Sequence, residues 1–262
     1  MKVFSFKNIR IAFLLSVLAV AAIYTKEQRL QTTSWYKPID VIIFPINGDG
    51  NPETDHYIQQ LTSKDFQNID EFFVRGAQQY HLIVEQPVIT TLGTQLNSQP
   101  PVPPQNRNAI LNVMLWSMKL RYWAYKNTPD NKSNKNRIRL YVLYHQGQAN
   151  QPLAHSLGIK KGLIGVIHAF ANDKQNPQNA IIMAHEILHT VGANDKYDRN
   201  NLPVYPDGYA QPDKKPLYPQ RFAEIMAGRI PLSNIQAKIP SNLGHVIVGE
   251  RTAKEINWIK VP

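Results

Sequence analysis

Short apolar runs and alternating apolar and polar positions recur along the chain, and both patterns predict β-strands. The clearest alternation covers 137–145, where Ile138, Leu140, Val142 and Tyr144 occupy every second position. An apolar run at 40–46 is ended by a stretch of turn-forming residues. Further strands are predicted at 82–84, 88–91, 154–159 and 162–170. These segments predict a sheet in the first two thirds of the chain.

A period near 3.6 residues predicts helices at 63–80, 108–127, 177–191 and 250–258. The helix at 108–127 carries many large apolar side chains, which we expect to pack against the sheet. Its apolar stripe consists of Ile110, Met114, Leu115, Met118 and Tyr122, with Trp116 and Trp123 beside it. The order of strands and helices predicts an α+β fold, with a mixed sheet and helices packed on it.

The N-terminus has the pattern of a segment that directs export. Basic residues precede an apolar run from Ile11 to Tyr24, which as a helix would be about 21 Å long, short of the ~30 Å core of a bilayer. We predict that 1–24 is a signal peptide or an N-terminal membrane anchor, and that the remainder lies outside the cytoplasm. Residues 25–38 are predicted as a linker and 39–262 as one folded domain.

The composition excludes several kinds of chemistry. The 262 residues include no cysteine, so that disulfides, thiol catalysis and cysteine metal ligands are excluded. The formal net charge of +10 favours anionic partners such as membranes or cell-wall polymers. We do not expect nucleic acid as a partner, because the sequence has no dense basic run and no nucleic-acid-binding motif. Membrane contact is expected only through the N-terminal segment.

The helix at 177–191 contains the motif His-Glu-x-x-His, beginning at His185. Residues four apart lie on the same face of a helix, so that His185 and His189 can direct imidazole nitrogens at one zinc ion. Glu186 would lie beside that ion, where it can accept a proton from water. The motif therefore predicts a catalytic zinc site.

Residues on either side of the motif predict the limits of this helix. Asn176 is expected to cap its beginning, with Pro177 in the first turn. Gly192 is expected to end it in the left-handed conformation. Because the chain then turns back, Asp195 can reach the same metal as a third ligand.

The longer pattern His-Glu-x-x-His-x-x-Gly-x-x-Asp resembles the zinc-binding consensus of the metzincin metallopeptidases. Most metzincins carry a third histidine at the position of Asp195, and the aspartate form resembles the snapalysin type. Metzincins also have a methionine-containing turn beneath the metal, for which Ala223–Gly228 is the candidate, with Met226 in that role. Gly228 stands where many metzincins place a tyrosine ligand, so that ligand is not carried over. The specific match covers 180–228.

The resemblance implies a metzincin-like zincin fold. Its upper lobe, 39–192, would contain the mixed sheet and the active-site helix, and 193–262 would form a small, loop-rich lower lobe. It also implies an exported zinc endopeptidase with Zn²⁺ as the cofactor, Glu186 as the general base and a protein or peptide as the substrate. An edge strand near 154–159 would pair with the substrate as an added strand.

Several alternatives remain open at this point. Asp198 could replace Asp195 as a ligand, and Glu224 could be the third ligand of a thermolysin-type site, although we expect it behind the ligands or at the surface. An oxyanion could be stabilised by Tyr197, Tyr205, Tyr209 or Tyr218. Two other functions are a zinc-binding cell-envelope protein without peptidase activity and a zinc amidase that acts on cell-wall peptides.

Overall fold

The computed structural model describes residues 6–104, 110–129, 137–147, 157–159 and 163–260. The α-helices are α1 (Phe6–Thr33), α2 (Pro52–Gln60), α3 (Gln67–Gln79), α4 (Ile110–Asn127), α5 (Asn176–Val191) and α6 (Glu250–Glu255). The strands are β1 (Ile39–Asn47), β2 (Val88–Leu92), β3 (Arg137–His145), β4 (Leu157–Ile159), β5 (Ile164–Phe170), β6 (Ala223–Glu224), β7 (Ile230–Pro231), β8 (Ala237–Lys238) and β9 (Val246–Ile247).

Five strands form the main sheet, in the order β2-β1-β3-β5-β4. The first four run parallel, and β4 pairs antiparallel to β5 at the edge. The structure therefore confirms a mixed sheet with helices packed on it, which is a mixed α and β architecture. The central strands β1, β3 and β5 are rich in buried β-branched and aromatic residues because helices cover both faces of a parallel sheet.

The two faces of the sheet form separate hydrophobic clusters. Leu140 and Val142 of β3 point into the larger cluster, together with α2, α3 and α5. Tyr141 and Leu143 point the other way, into a smaller cluster that includes Leu120 of α4. The alternation of side chains along a strand thus places α5 and α4 on opposite faces of the sheet.

The predicted packing of α4 is wrong. Its expected inward stripe is exposed, and Leu120 and Ala124 are the residues of α4 that are buried. The indole of Trp116 donates to the carbonyl oxygen of Pro101 at 2.8 Å, and that of Trp123 donates to Ser98 Oγ at 2.9 Å. The helix is apolar on both sides, so that periodicity alone does not select the side with these hydrogen-bond partners.

The N-terminal helix extends further than the apolar run, because α1 continues to Thr33, inside the segment 25–38 that we predicted as a linker. Trp35 is buried, and its indole nitrogen lies 2.6 Å from the carbonyl oxygen of Ile256. Its ring also meets the edge of Trp258, with centroids 5.5 Å apart. The folded domain therefore begins before residue 39. Among the residues that the structure describes, no helix is both long and apolar enough to cross a membrane.

One local prediction is wrong, and one helix was not predicted. Residues 82–84 form no strand, and Leu82 instead donates to the carbonyl oxygen of Ala77 at the end of α3. The turn predicted after β1 is confirmed, since Asn47 Oδ1 accepts from the backbone N–H of Gly50 at 2.7 Å. It leads into α2, which we did not predict and at whose start the side chain of Asn51 accepts from the backbone N–H of Glu53 at 3.0 Å. A mostly polar helix such as α2 gives little periodic signal.

Residues 193–260 contain little regular structure besides α6. The strand β6 pairs parallel to β9, and β7 pairs antiparallel to β8. Each of these strands has only two residues. Loops and side-chain hydrogen bonds therefore determine the course of the chain in this segment.

Candidate metal centre

Helix α5 holds the two histidines of the motif. Their rings are stacked edge to face, with centroids 4.6 Å apart, as expected for residues one turn apart on one face. The predicted N-cap is wrong: a short 3₁₀ turn, capped by Asn172, precedes α5, and Asn176 is the first helical residue. The side chain of Asn176 accepts a hydrogen bond from the Tyr57 hydroxyl instead.

Gly192 ends α5 with a positive φ of 124°. Its N–H bonds to the carbonyl oxygens of Leu188 and His189 at 3.1 and 3.2 Å, which closes the last turn. The reversal brings the carbonyl oxygen of Ala193 to 3.0 Å from His189 Nδ1. The predicted left-handed glycine is confirmed, and its conformation determines the position of the next residues.

Both histidines are held through Nδ1. The Nδ1 of His185 lies 3.0 Å from the carbonyl oxygen of Ile225, and that of His189 lies 3.0 Å from the carbonyl oxygen of Ala193. A carbonyl oxygen only accepts hydrogen bonds, so that each Nδ1 carries a proton. The lone pair of the neutral ring is then on Nε2, which is the tautomer that a metal-binding histidine of this orientation requires.

The two Nε2 atoms converge on one oxygen of Asp195. Asp195 Oδ1 lies 3.2 Å from His185 Nε2 and 3.0 Å from His189 Nε2. Within the part of the chain that the structure describes, these residues are the one group of three whose ligand atoms all lie within 4.8 Å of one another. Ligands about 2.0 Å from a tetrahedral zinc ion are separated by about 3.3 Å, so the N–O spacing fits that ion.

The charges of the site also fit a cation. Burial alone would lower the pKa of His185, but the hydrogen bond with Asp195 and the charge of Glu186 outweigh it and raise that pKa. Burial would raise the pKa of Asp195, and its contacts with both histidines instead hold that pKa well below the usual range. Two neutral Nε2 atoms and a carboxylate are all acceptors, so their close approach requires a proton or a metal ion between them.

The turn at Ala223–Gly228 adjoins both α5 and the segment of Asp195, the candidate third ligand. The carbonyl oxygen of Met226 accepts from the backbone N–H of Lys196, at 3.0 Å, directly after Asp195. The preceding residue, Ile225, contacts His185 as described. Met226 itself is fully buried in the same core cluster as α5. The candidate methionine turn therefore positions His185 and the segment of Asp195, two of the three candidate ligands, through its backbone.

Glu224 lies in this turn and not at the surface, which corrects part of the sequence prediction. It is completely buried, and burial raises its pKa. One carboxylate oxygen accepts from the backbone N–H groups of Met226 and Ala227, at 2.7 and 3.0 Å. The other accepts from Gly249 N–H at 3.2 Å and from the Thr252 hydroxyl at 2.6 Å. Glu224 therefore ties the turn to α6 and is not a member of the three-residue group.

The alternative ligand Asp198 is also directed elsewhere. Its Oδ1 accepts from the backbone N–H groups of Asn200 and Leu202, at 2.8 and 2.9 Å, and so closes a local turn. It does not belong to the group formed by the two histidines and Asp195.

A buried ion pair, which we did not predict, holds the segment around Asp195. The carboxylate of Glu255 accepts from Lys196 Nζ and from the backbone N–H of Asn194, both at 2.9 Å. The Lys196 side chain is only 4% exposed. The residues on either side of Asp195 are thereby tied to α6. Their separation of about sixty residues from Glu255 leaves no local sequence signal for this contact.

Three of the candidate tyrosines contact one another, and the fourth, Tyr197, lies in a different contact. The hydroxyls of Tyr209 and Tyr218 lie 2.7 Å apart and hydrogen-bond to each other. Tyr205 is exposed and meets the ring of Tyr209 edge to face, whereas Tyr197 pairs with Pro203 in an isolated β-bridge. A role for any of them in stabilising an oxyanion stays a prediction.

Two further histidines lie together in the sheet, which their spacing in the sequence did not predict. His145 Nε2 and His168 Nδ1 are 2.9 Å apart, because β3 and β5 are neighbours. Burial, followed by the charge of His145, lowers the pKa of His168 to about 4. The pair is therefore mainly uncharged at neutral pH, as expected for a structural contact.

Comparison with known proteins adds no relative. No protein-family model matches this chain, and no curated protein matches its sequence significantly.

Proposed function

We propose that this chain is an exported zinc endopeptidase of the metzincin type, in which His185, His189 and Asp195 bind the metal. One observation carries the proposal: both Nε2 atoms meet Asp195 Oδ1 while carbonyl oxygens hold both Nδ1 atoms. Histidines that served only the core would not need two convergent Nε2 atoms beside a half-exposed carboxylate. The sequence motif and this geometry support the same metal site.

In the proposed mechanism, three residues bind the metal and Glu186 transfers the proton. A zinc ion bound here supplies a Lewis acid, which polarises the substrate carbonyl and increases the acidity of water. Glu186 accepts the proton of the attacking water and then donates it to the amine nitrogen as the peptide bond breaks. Its side chain is buried next to His185, so that this proton transfer is shielded from bulk solvent. No covalent intermediate with the protein is involved.

The edge of the sheet is the proposed binding site of the substrate backbone. Strand β4 is the last strand of the sheet and lies beside α5. An extended peptide could pair with its outer edge and place a peptide bond near the histidines. Backbone pairing of this kind binds many sequences, which suits an endopeptidase.

Glu186 favours a catalytic role over metal binding alone. A protein that only bound zinc would not need a buried carboxylate directly after the first ligand. An amidase that acts on cell-wall peptides would use the same residues, so that the choice between amidase and endopeptidase depends on the substrate.

The test combines metal analysis with assays of the full chain. We expect one zinc ion per chain and hydrolysis of casein, and little action on peptidoglycan. The Glu186→Gln variant should keep its zinc but lose roughly 10²- to 10⁴-fold in kcat, since only the proton acceptor is removed. Full zinc content without hydrolysis of any peptide would refute the peptidase, and activity on peptidoglycan alone would favour the amidase.

A further inference from the structure

The outer face of α4 is an exposed apolar surface. It consists of seven large side chains that are between 56% and 74% exposed. They are Ile110, Leu111, Met114, Leu115, Met118, Tyr122 and Tyr125. On an ideal helix they fall within an arc of about 140°, so they form one continuous stripe. Monomeric soluble proteins rarely expose apolar patches larger than a few hundred Å², so this surface requires an explanation.

The exposed stripe is not the side of α4 that fits against the sheet. The opposite side of α4 already fills the space against the sheet with Leu120 and Ala124. Trp123 also packs edge to face on Tyr141, with centroids 4.8 Å apart. Turning the helix over would expose these residues and would remove the hydrogen-bond partners of both indoles. The apolar stripe is therefore available to a partner outside the fold.

The charges on α4 identify the chemistry of this partner. The helix has three cations, Lys119, Arg121 and Lys126, and no acidic residue. On the same ideal helix, the two lysines lie just outside one margin of the stripe, and Arg121 lies within it, about 20° from the other margin. Cations at the margins of an apolar stripe, together with tyrosines, are typical of helices that lie in the interface of an anionic membrane. We propose that the outer face of α4 docks the protein onto an anionic phospholipid surface.

A second copy of the chain fits this face less well. In a twofold-symmetric dimer the same patch meets itself, so the cations of one copy would approach those of the other. Anionic headgroups instead neutralise the lysines while the apolar side chains enter the region beneath them.

Docking through α4 would leave the candidate metal centre accessible. Helices α4 and α5 lie on opposite faces of the sheet, so that the membrane would cover the face remote from His185. The proposal does not depend on bound zinc or on peptidase activity. It adds a contact in the folded domain to the membrane contact expected from the N-terminal segment.

The absence of cysteine from the chain permits a local test. An environment-sensitive fluorophore is attached to a full-length Met118→Cys variant, and its quenching by iodide is measured. We expect the label to become shielded when vesicles of phosphatidylcholine and phosphatidylglycerol are added, but not with phosphatidylcholine alone. The matched control, Gln59→Cys at an exposed position of α2, should remain accessible with both kinds of vesicle. Insertion of α1 by itself would not shield a label on α4.

A second measurement tests the charges. In the labelled Met118→Cys protein, both lysines at the margin are replaced, as Lys119→Gln and Lys126→Gln. The lipid concentration at which half of the label is shielded should then rise about 25-fold, which is about fivefold for each cation removed. Lys64→Gln with Lys174→Gln removes the same charge elsewhere and should leave this concentration nearly unchanged. An equal effect of both pairs would overturn the proposed orientation.

Other results would overturn the proposal itself. A label that stays accessible with anionic vesicles excludes docking through this face. Shielding without lipid at every protein concentration would indicate that another segment of the chain, such as α1, covers the stripe. Shielding without lipid that increases with protein concentration would indicate a second copy.

Discussion

The Nδ1 atom of His185 lies 3.0 Å from the carbonyl oxygen of Ile225, 40 residues further along the chain. This contact joins the helix of the motif to the turn that contains Met226. The same turn accepts a hydrogen bond from Lys196, next to Asp195. The tautomer of one proposed ligand and the position of another thus depend on one short segment, Ala223–Gly228. The following predictions test that dependence and the identity of the ligands.

The first prediction concerns the third ligand. Asp195→Ala removes one of three ligand atoms, so we expect zinc and activity to be lost together. Asp195→His should retain part of the zinc, because an imidazole can supply the missing ligand. Zinc content after dialysis is the measurement. Asp198→Ala is the matched control and should keep its zinc, since that carboxylate closes its own turn. Full zinc occupancy in Asp195→Ala would exclude this residue as a ligand.

The second prediction concerns Glu224. In Glu224→Gln an amide group replaces one carboxylate oxygen among four donors, so that at least one buried donor loses its acceptor. We expect a loss of about 2 kcal/mol in the free energy of unfolding and a 10- to 100-fold weaker affinity for zinc, with zinc still bound at saturation. Urea denaturation and zinc titration measure the two effects. Glu250→Gln, at an exposed position, should change neither, and unchanged zinc affinity in Glu224→Gln would contradict the proposed positioning role.

The third prediction concerns pH. The pKa of His185 is raised above its ordinary value of 6.5 in the folded, metal-free protein. The resulting stabilisation is fully present below pH 6.5 and is lost as the pH rises through the raised pKa. The lowered pKa of Asp195 adds stability above the ordinary 3.8, which is lost as the pH falls through the lowered pKa. The metal-free site therefore contributes most between these two ordinary values and loses stability at higher pH.

Zinc should reverse this trend at neutral pH. Both imidazoles must be deprotonated to bind a metal, so the stabilisation by zinc should increase as the pH rises. Urea midpoints with and without zinc, between about pH 5 and about pH 8, measure the difference. Stabilisation by zinc that did not change over this range would argue against histidine ligands.

The fourth prediction concerns export. The basic start and the apolar run from Ile11 to Tyr24 should carry a fused reporter across a membrane. We expect residues 1–40, fused to a reporter that works only outside the cytoplasm, to give an active product. Replacing Leu14 and Leu18 with lysine should abolish that activity by interrupting the apolar run. An inactive wild-type fusion that accumulates in the cytoplasm would contradict the prediction.

The sequence by itself determined the features that depend on local geometry. The periods of two and 3.6 residues predicted β1, β3, β5 and the body of α5, because each period reports which side of one element is buried. The common direction of His185 and His189 also follows from the pitch of a single helix. The positive φ of Gly192 was predictable because few other residues adopt it easily.

Only the tertiary structure decided which distant groups meet. It selected the inner side of α4, since Trp116 and Trp123 have partners on that side and both sides are apolar. It also holds Asp195, which the motif predicted, beside the histidines through contacts of its neighbours with Met226 and Glu255, and these contacts were not predicted. These contacts join residues tens of positions apart, and their formation depends on how distant segments of the chain pack together. No local pattern contains that information, because a side chain's partner is determined by the path of the whole chain.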